Sequence, residues 1–578
     1  MLQIILTLAL FLALVLPMGR YLYHIATGQH TFADPVLDRV DGGIYRLCGI
    51  RAEEGMDWRQ YALSLLLTNA VMVLAGYLIL RLQALPLLNP NGIPGMEPTL
   101  SFNTILSFVT NTNLQHYGGE SGLSYLSQML VITFLMFTSA ATGYAACMAF
   151  CRGITGTKRD MGNFYVDMIR ITTRILLPVC LVLGLFLVAQ GVPQTLSQNV
   201  TVATIEGKHQ VLALGPVASL EIIKHLGTNG GGFFGANSAT PFENPNILTN
   251  LVELLSMMVL PGACVVTFGL MFHNRERAEG TPPKNAVKKR PVFFGGEGRT
   301  IFAAMGLLFL VGLAVCFLAE SAGNPALARL GLDQSMGSME GKELRFGVAQ
   351  SALFTTVTTS FTTGAVNNMH DALTPLGGMV ALLHMMLNCV FGGKGVGLMN
   401  MLLYAMLAVF LCGLMIGRTP EYLGKKIEGR EMQLLVLCII LHPLLILGFS
   451  ALAVSTPAGL SGITNPGFHG LSQILYEFAS SAANNGSGFE GLGDNTPFWN
   501  ITTGLAMFFG RYVSIVLQLA IAWSLLQKRR VNATIGTLKT DHLGFAVILV
   551  FVVYIFAALT FFPALALGPI AEQLTLWG

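Results

Sequence analysis

Four stretches of this sequence gather glycine with Thr, Asn and Ser, and each lies between long apolar runs. They are LSFVTNTNLQHYGGES (106–121), IIKHLGTNGGGFFGANS (222–238), TVTTSFTTGAVNNMHD (356–371) and FASSAANNGSGFEGL (478–492). Their separations are 116, 135 and 122 residues when the stretches are anchored on Thr112, Thr228, Thr363 and Asn485. A repeat of that length predicts a fourfold internal duplication, with two apolar segments and one intervening loop in each unit.

These stretches offer oxygen atoms. Backbone carbonyls, with Thr and Asn side chains, can replace the hydration shell of a cation where several strips meet. Glycine permits the torsions that aim carbonyls inward and lets chains approach closely. We predict a short helix before each strip, because a helix ends in carbonyls whose partial negative charge favours a cation. The predicted helices are Thr99–Val109, Val217–Leu226, Val348–Ser360 and Leu471–Ser480.

The kind of ion follows from the lack of a strongly acidic cluster within the four strips. The carboxylates only flank them, at Glu120, Glu243, Asp371 and Glu490. Calcium and magnesium sites normally need several carboxylates, whereas neutral oxygens suit a large monovalent cation. Potassium is therefore the leading ligand and sodium the second. The alternative is that each stretch is an ordinary turn, since the same residue types dominate turns.

Composition indicates the solvent in which these strips lie. The 578-residue chain is 53% hydrophobic and 11% charged, with a mean hydropathy of +0.63, whereas soluble domains carry about 25% charged residues. We predict a polytopic membrane protein with ten spans. They lie near 2–22, 60–82, 125–151, 171–191, 248–272, 300–320, 375–417, 432–454, 500–527 and 542–569. The seventh is too long for one plain crossing and is interrupted by FGGKGVG (391–397).

The basic residues predict the orientation. Loops after odd-numbered spans hold 25 Lys and Arg, and loops after even-numbered spans hold 5. The positive-inside rule then puts the N-terminus outside and the strips on the outer side. The loop 273–299, with Lys288, Lys289 and Arg290, is the most basic.

Spans and strips together predict an all-α membrane protein with four helix–pore-loop–helix units around a central ion path. One extra helix stands at each end of the chain. The predicted units are 60–170, 171–299 with the basic loop, 300–431 with the broken helix and 432–540, flanked by 1–59 and 541–578.

At these strips the chain resembles the A subunit of the Kdp-type potassium-transporting P-type ATPases. The resemblance covers nearly the whole chain and rests on SFVTNTN, GPVASLEIIKHLGTNGGGFF, PFENPN, SMEGKELRFGV, GAVNNMHD, GLMIGRTPEYLGKKIEGREM, SSAANNGS, NTPFWN and FFPALALGP. It implies a multi-pass protein of the bacterial cytoplasmic membrane that binds external potassium at a filter. It also implies an intramembrane tunnel to a catalytic B subunit, which binds and hydrolyses ATP. A C subunit belongs to the complex, a small F subunit is a further candidate, and no organic cofactor or nucleic acid is implied.

The resemblance carries filter roles onto twelve residues of this chain. They are Asn111, Thr112, Asn113, Thr228, Asn229, Gly230, Thr362, Thr363, Gly364, Asn484, Asn485 and Gly486. Ion-path or gate roles fall on Gln115, Gly392, Gly393, Lys394, Gly395, Arg418 and Arg511.

Two departures from the family pattern stand out. The best-known members have Ser-Cys-Gly where this chain has Thr362, Thr363 and Gly364, so a hydroxyl replaces a thiol. They also have Glu where this chain has Asn388, and an uncharged residue where it has Lys394. In the glycine-rich break of span seven, Lys394 is expected to repel a cation; the alternative is a helix kink with a paired or snorkelling lysine.

The sequence also limits the chemistry of the chain itself. It contains neither GxxxxGK[ST] nor an Asp-Lys-Thr-Gly stretch, so ATP chemistry is expected in a partner subunit. Two other functions stay open. One is a stand-alone potassium or sodium channel or symporter of the same architecture. The other, more remote, is a haem oxidoreductase using intramembrane histidines such as His384 and His442.

Overall fold

The computed structural model describes residues 2–278, 294–415, 417, 419–531 and 538–577. Within these ranges it is a helical protein with ten helices long and apolar enough to cross a membrane. The predicted all-α fold with ten spans is confirmed. Lys288, Lys289, Arg290 and Arg418 lie outside the described residues.

The main helices, numbered in chain order, alternate long spans with short buried segments. They are α1 (Leu2–Thr27), α2 (Asp34–Cys48), α3 (Trp58–Leu82), α4 (Pro98–Val109), α5 (Tyr125–Thr155), α6 (Phe164–Ala189), α7 (Val217–Leu226), α8 (Ile247–Ala278), α9 (Gly296–Ser321), α10 (Gly347–Ser360), α11 (Pro375–Leu387), α12 (Val396–Met415), α13 (Gly429–Val454), α14 (Phe468–Ala483), α15 (Pro497–Gln527), α16 (Leu543–Leu565) and α17 (Ala571–Trp577). Two antiparallel hairpins pair β1 (Val200–Ala203) with β2 (His209–Leu212), and β3 (Glu421–Tyr422) with β4 (Lys425–Lys426).

The spans divide into central and peripheral helices. In α5 and α8 the most apolar window is 72% and 94% buried inside the protein, whereas in α3 and α13 it is only 22% and 28% buried. Leucines such as Leu67 and Leu74 on α3 are more than half exposed, as expected for a surface that faces lipid. The central helices therefore supply the walls around the strips.

The four short helices predicted before the strips are confirmed. The structure has them as α4, α7, α10 and α14, and α7 agrees residue for residue. The largest difference is in α14, which begins at Phe468 and ends at Ala483, three residues beyond the prediction at each end. Side chains on all sides of these helices are buried, Phe108 and Phe354 completely. Each short helix is thus surrounded by protein.

The seventh apolar run is two helices separated by a loop. α11 ends at Leu387 and α12 begins at Val396, so the break begins before the predicted FGGKGVG stretch. Asn388, Phe391 and Lys394 all have left-handed backbone, with φ of 45°, 57° and 61°. Non-glycine residues rarely adopt this region, and a helix cannot continue through it.

Several elements lie outside the predicted spans and short helices. The hairpins β1–β2 and β3–β4 lie in loops between spans. The amphipathic helix α2 follows α1 and is fixed to α6 by one side chain: Arg174 forms ion pairs with Asp34, Asp38 and Asp41. Three acidic residues on one face of α2 would have suggested a basic partner, but nothing local identifies Arg174, which is more than 130 residues away.

A buried ion pair connects four spans. It lies at the end of the protein where the loops that follow odd-numbered spans are found. Arg152 on α5 pairs with Asp167 on α6 and also donates to the carbonyl of Ala26 at the end of α1 (3.3 Å). The hydroxyl of Tyr61 on α3 lies 2.9 Å from the same carboxylate. Arg152 is 2% exposed, so the Asp167 carboxylate and not water compensates its positive charge.

We expect Asp167→Asn to lower the free energy of unfolding by about 3–5 kcal/mol, because it leaves the Arg152 guanidinium buried without a counter-charge. The measurement is the apparent melting temperature of the detergent-purified protein. Glu54→Gln is the matched control, since its partner Arg51 is 79% exposed and exposed pairs contribute little. Equal melting temperatures for the two variants would contradict this account of the ion pair.

Candidate functional site

The structure brings the four small-polar strips together around one centre. We call them strip 1 (Asn111, Thr112, Asn113), strip 2 (Thr228, Asn229, Gly230), strip 3 (Thr362, Thr363, Gly364) and strip 4 (Asn484, Asn485, Gly486). Their residues are all buried, with none more than 5% exposed among those with side chains.

Glycine determines how closely neighbouring strips approach. A methyl group on Gly230 would overlap the carbonyl oxygen of Thr363 in strip 3. The same holds for Gly364 against Asn485 in strip 4, and for Gly486 against Thr112 in strip 1. Three strip boundaries are therefore closed by glycine against a main-chain carbonyl.

The fourth boundary is closed by asparagine. The side-chain amide of Asn111 donates to the carbonyl of Thr228 (2.9 Å), and that of Asn113 donates to the carbonyl of Gly230 (3.2 Å). The strips thus form a closed ring in chain order. The outer neighbour Gln115 adds a two-way contact: its Nε2 donates to the Gly232 carbonyl (3.1 Å) and its Oε1 accepts from the Gly232 N–H (2.7 Å).

All four strips share one backbone pattern. Their first and third residues have left-handed φ, and their middle residues do not. Alternating handedness collects successive N–H groups on one side of a chain and the carbonyls on the other. The residues with positive φ are Asn111 and Asn113 (both 61°), Thr228 (48°) and Gly230 (94°), Thr362 (51°) and Gly364 (91°), and Asn484 (54°) and Gly486 (107°).

The loop between α11 and α12 covers the end of this ring that is formed by the first residues of the strips, which we call the inner end. A methyl group on Gly393 would lie 2.5 Å from Thr228 Oγ1 and 2.7 Å from the Thr362 carbonyl oxygen. The Lys394 ammonium donates to the carbonyls of Asn111 (2.9 Å) and Asn484 (2.8 Å). This loop therefore contacts the first residue of every strip.

A second cation lies beside Lys394. A methyl group on Gly143 of α5 would touch both the Lys394 Cβ (2.5 Å) and Arg511 Nη2 (2.6 Å). Arg511 on α15 is 2% exposed and donates to the Ser139 carbonyl at 3.4 Å. Within the described part of the chain, neither cation forms an ion pair with a carboxylate. Both residues were predicted to lie at the ion path or gate, but their contact could not be predicted from the sequence, because 117 residues separate them.

The last residues of strips 1, 3 and 4 and the residue that follows strip 2 line one cavity, at the end of the ring that we call the outer end. These residues are Asn113, Gly231, Gly364 and Gly486, and Asp494 lines the same cavity. Asp494 could not be predicted from the sequence, because ordinary loop residues separate it from every strip.

His116 lies at the same cavity with both ring nitrogens facing acceptors. Nδ1 lies 2.7 Å from Asn500 Oδ1 and Nε2 lies 3.2 Å from Glu477 Oε1. Burial by itself lowers the pKa of His116, but the carboxylates of Asp494 and Glu477 outweigh it and raise that pKa to about 9. Burial raises the pKa of Asp494 to about 6 against the effect of His116. His116 is therefore a structural cation near neutral pH.

A buried cluster of charged side chains, which was not predicted from the sequence, lies next to strip 2, around Lys224 of the helix that precedes it. The carbonyl of Lys224 accepts a hydrogen bond from the N–H of Asn229 (2.8 Å), which fixes the middle residue of the strip. Its ammonium lies 2.7 Å from Glu221 and also contacts Glu243. The spacing of Glu221 and Lys224, three residues apart on a helix, was the one available signal.

The histidines of the haem alternative have separate packing partners. His384 Nδ1 lies 3.5 Å from Thr359 Oγ1, whereas His442 Nε2 lies 3.0 Å from the Met385 carbonyl oxygen. Each ring thus has its own polar contact within the protein.

With this geometry established, comparison with known proteins identifies the family. The family model described as "Potassium-transporting ATPase A subunit", KdpA, matches residues 5–574. The chain belongs to the KdpA family. Two curated relatives are named "Potassium-transporting ATPase potassium-binding subunit". The one from Clostridium acetobutylicum is 59% identical over 575 residues and covers 100% of each chain; the one from Geobacillus kaustophilus is 53% identical over 574 residues and covers 99% of each.

A solved structure is similar in fold. The potassium transporter TrkH from Vibrio parahaemolyticus matches with a TM-score of 0.51 and 17% identity, covering 89% of this chain and 97% of that one. At this identity the similarity concerns the fold alone.

We expect Gly486→Ala to destabilise the protein, since its Cβ would overlap the Thr112 carbonyl and its φ of 107° is unfavourable for alanine. The strained backbone alone costs on the order of 1–3 kcal/mol. The melting temperature in detergent measures the effect. Gly488→Ala is the control, because its nearest neighbour is Glu477 Oε2 at 3.7 Å. An unchanged melting temperature for Gly486→Ala would show that the strips do not approach as described.

Proposed function

We propose that this chain is the potassium-binding and translocating subunit of an ATP-driven potassium uptake complex. In this proposal external potassium loses its water where the four strips meet and then passes sideways through the membrane domain to a catalytic subunit. The closed ring of four strips is the observation that carries the proposal. Family membership and the names of the two relatives support it.

The choice of potassium is supported by where the carboxylates lie. The four carboxylates that flank the strips are each bound to other protein groups. Glu120 accepts from the Gly235 N–H, Glu243 from the Phe234 N–H, and Glu490 from the His370 N–H, while Asp371 pairs with His469. The ring is left with neutral oxygens, which suit a weakly hydrated monovalent cation. The twelve strip residues are accordingly our proposed potassium filter.

We propose that the ion path continues in a cavity between α11, α12, α13, α15 and α16. Asn388, Asn400 and Gln518 line it, next to Asn484 of strip 4. Asn400 donates to the Asn388 carbonyl (2.7 Å), and Gln518 donates to Asn400 Oδ1 (2.7 Å). These amides would provide neutral oxygens where the family pattern has a glutamate. In this scheme Gln115 lies at the outer end of the path, Gly392, Gly393, Lys394 and Gly395 form its gate, and Arg511 lies beside it.

ATP hydrolysis, in this proposal, belongs to a P-type B subunit that associates with this chain together with a C subunit and a small F subunit. No organic cofactor or nucleic acid takes part. We further propose that the complex lies in the bacterial cytoplasmic membrane with the N-terminus outside. Gln350 near the start of α10 donates a hydrogen bond to Gln3 of α1 (3.1 Å). The N-terminus therefore lies at the same side of the protein as the beginning of α10, the short helix before strip 3. The four-unit division (60–170, 171–299, 300–431 and 432–540, flanked by 1–59 and 541–578) and the role of Arg418 stay predictions.

Purification from cells that express the whole set of subunits tests the proposal. We expect a P-type ATPase chain to co-purify with this protein and its ATP hydrolysis to be stimulated by potassium, because this chain supplies the ion and not the chemistry. Potassium uptake into vesicles by this chain alone, with no ATPase attached, would instead support the stand-alone channel or symporter.

We expect Gly230→Asp to raise the potassium concentration for half-maximal ATP hydrolysis by about tenfold or more, because a carboxylate enters a ring of neutral oxygens and displaces Thr363. Gly207→Asp is the matched control. Gly207 also has a positive φ (78°), but it lies in the β1–β2 turn with no atom near its Cβ position. Unchanged potassium dependence in an assembled Gly230→Asp complex would contradict the filter assignment.

A further inference from the structure

The strongest unexplained feature is the position of the Lys394 ammonium. Lys394 is 1% exposed and projects from the loop between α11 and α12 to the inner end of the strip ring. Its Nζ bonds two main-chain carbonyl oxygens, at 2.9 Å on Asn111 and 2.8 Å on Asn484. Those residues are the first members of strips 1 and 4.

An ammonium group is chemically similar to the proposed substrate. It is a compact monovalent cation, and its hydrogen bonds to oxygen have nearly the length at which potassium coordinates oxygen. A buried lysine normally requires a carboxylate partner. Among the described residues Lys394 has no such ion pair, and the neighbouring Arg511 adds a like charge. The carbonyls of the ring therefore provide the stabilisation that a carboxylate provides elsewhere.

We infer that Lys394 is a tethered cation that occupies the innermost oxygen position of the strip ring in place of a potassium ion. This inference rests on the proposed function and adds a residue that sets how many ions the filter holds and how tightly. While Nζ lies between Asn111 and Asn484, no ion can bind there. An ion arriving from outside must then wait one position further out and is repelled by the ammonium. Onward movement requires Lys394 to leave the ring.

Close contacts of the neighbouring glycines hold the loop, and with it the Lys394 ammonium, in this position. Gly393 lies against strips 2 and 3 while Lys394 reaches strips 1 and 4, so two adjacent residues contact the whole inner end. A side chain on Gly395 would overlap Cys147 of α5, which leaves the loop little freedom to shift as a unit. In this scheme Lys394 leaves the ring by a side-chain movement, and the cavity that Asn484 also lines is the space that could receive it.

The test is equilibrium binding of radioactive rubidium, a potassium substitute, to the purified complete complex. We expect Lys394→Met to bind one more rubidium ion per complex than the unsubstituted protein. We also expect at least about a tenfold lower dissociation constant for rubidium, because a charge a few ångströms from the ion is removed. Arg511→Met is the comparison: it removes a neighbouring charge without vacating the ring, so affinity rises but the number of bound ions does not.

Each outcome decides the inference. The inference is overturned if Lys394→Met binds the same number of rubidium ions as the unsubstituted complex. It is also overturned if Arg511→Met gains one bound rubidium ion as well. If Lys394→Met does not assemble, the rubidium-loaded unsubstituted complex gives the answer by anomalous diffraction. Rubidium between Asn111 and Asn484 overturns the inference, and Nζ at that position with rubidium only further out supports it. If the unsubstituted complex binds no rubidium at all, the proposed function fails and not merely this inference.

Discussion

The rest of the structure depends on one constraint: main-chain carbonyls buried in a membrane domain must have a partner other than water. A span satisfies its carbonyls internally, but the four strips are not helical. Their alternating backbone leaves a row of carbonyls on one side of each strip, and glycines at Gly230, Gly364 and Gly486 let those rows come into contact. We propose that a desolvated cation is the partner of these four converging rows of neutral oxygen.

The arrangement of charge then gives the site a direction. Carboxylates such as Asp494 line the outer cavity, whereas the inner end faces two cations, Lys394 and Arg511. In our proposal an ion in the ring is repelled from the inner end, so leaving the ring in that direction requires a rearrangement. A complex that couples ion movement to ATP hydrolysis needs such a barrier, whereas an open channel does not.

Much of this architecture could be predicted from the sequence, because hydropathy and local composition depend on neighbouring residues. The ten spans, the four short helices and the break in the seventh run all follow from such patterns. Contacts across the fold could not be predicted. His116 and Glu477 are 361 residues apart, and Lys394 is 283 residues from Asn111. No spacing or periodicity links such pairs, and the ion pairs that α2 forms with the distant Arg174 could not be predicted for the same reason.

The most direct test of the central claim is anomalous diffraction near the potassium absorption edge from crystals of the complete complex grown in potassium, with a matched data set in sodium. We expect a potassium peak on the axis shared by the four strips, coordinated by main-chain oxygens from each of them and absent in sodium. A peak coordinated by carboxylates in the outer cavity, with none between the strips, would contradict it.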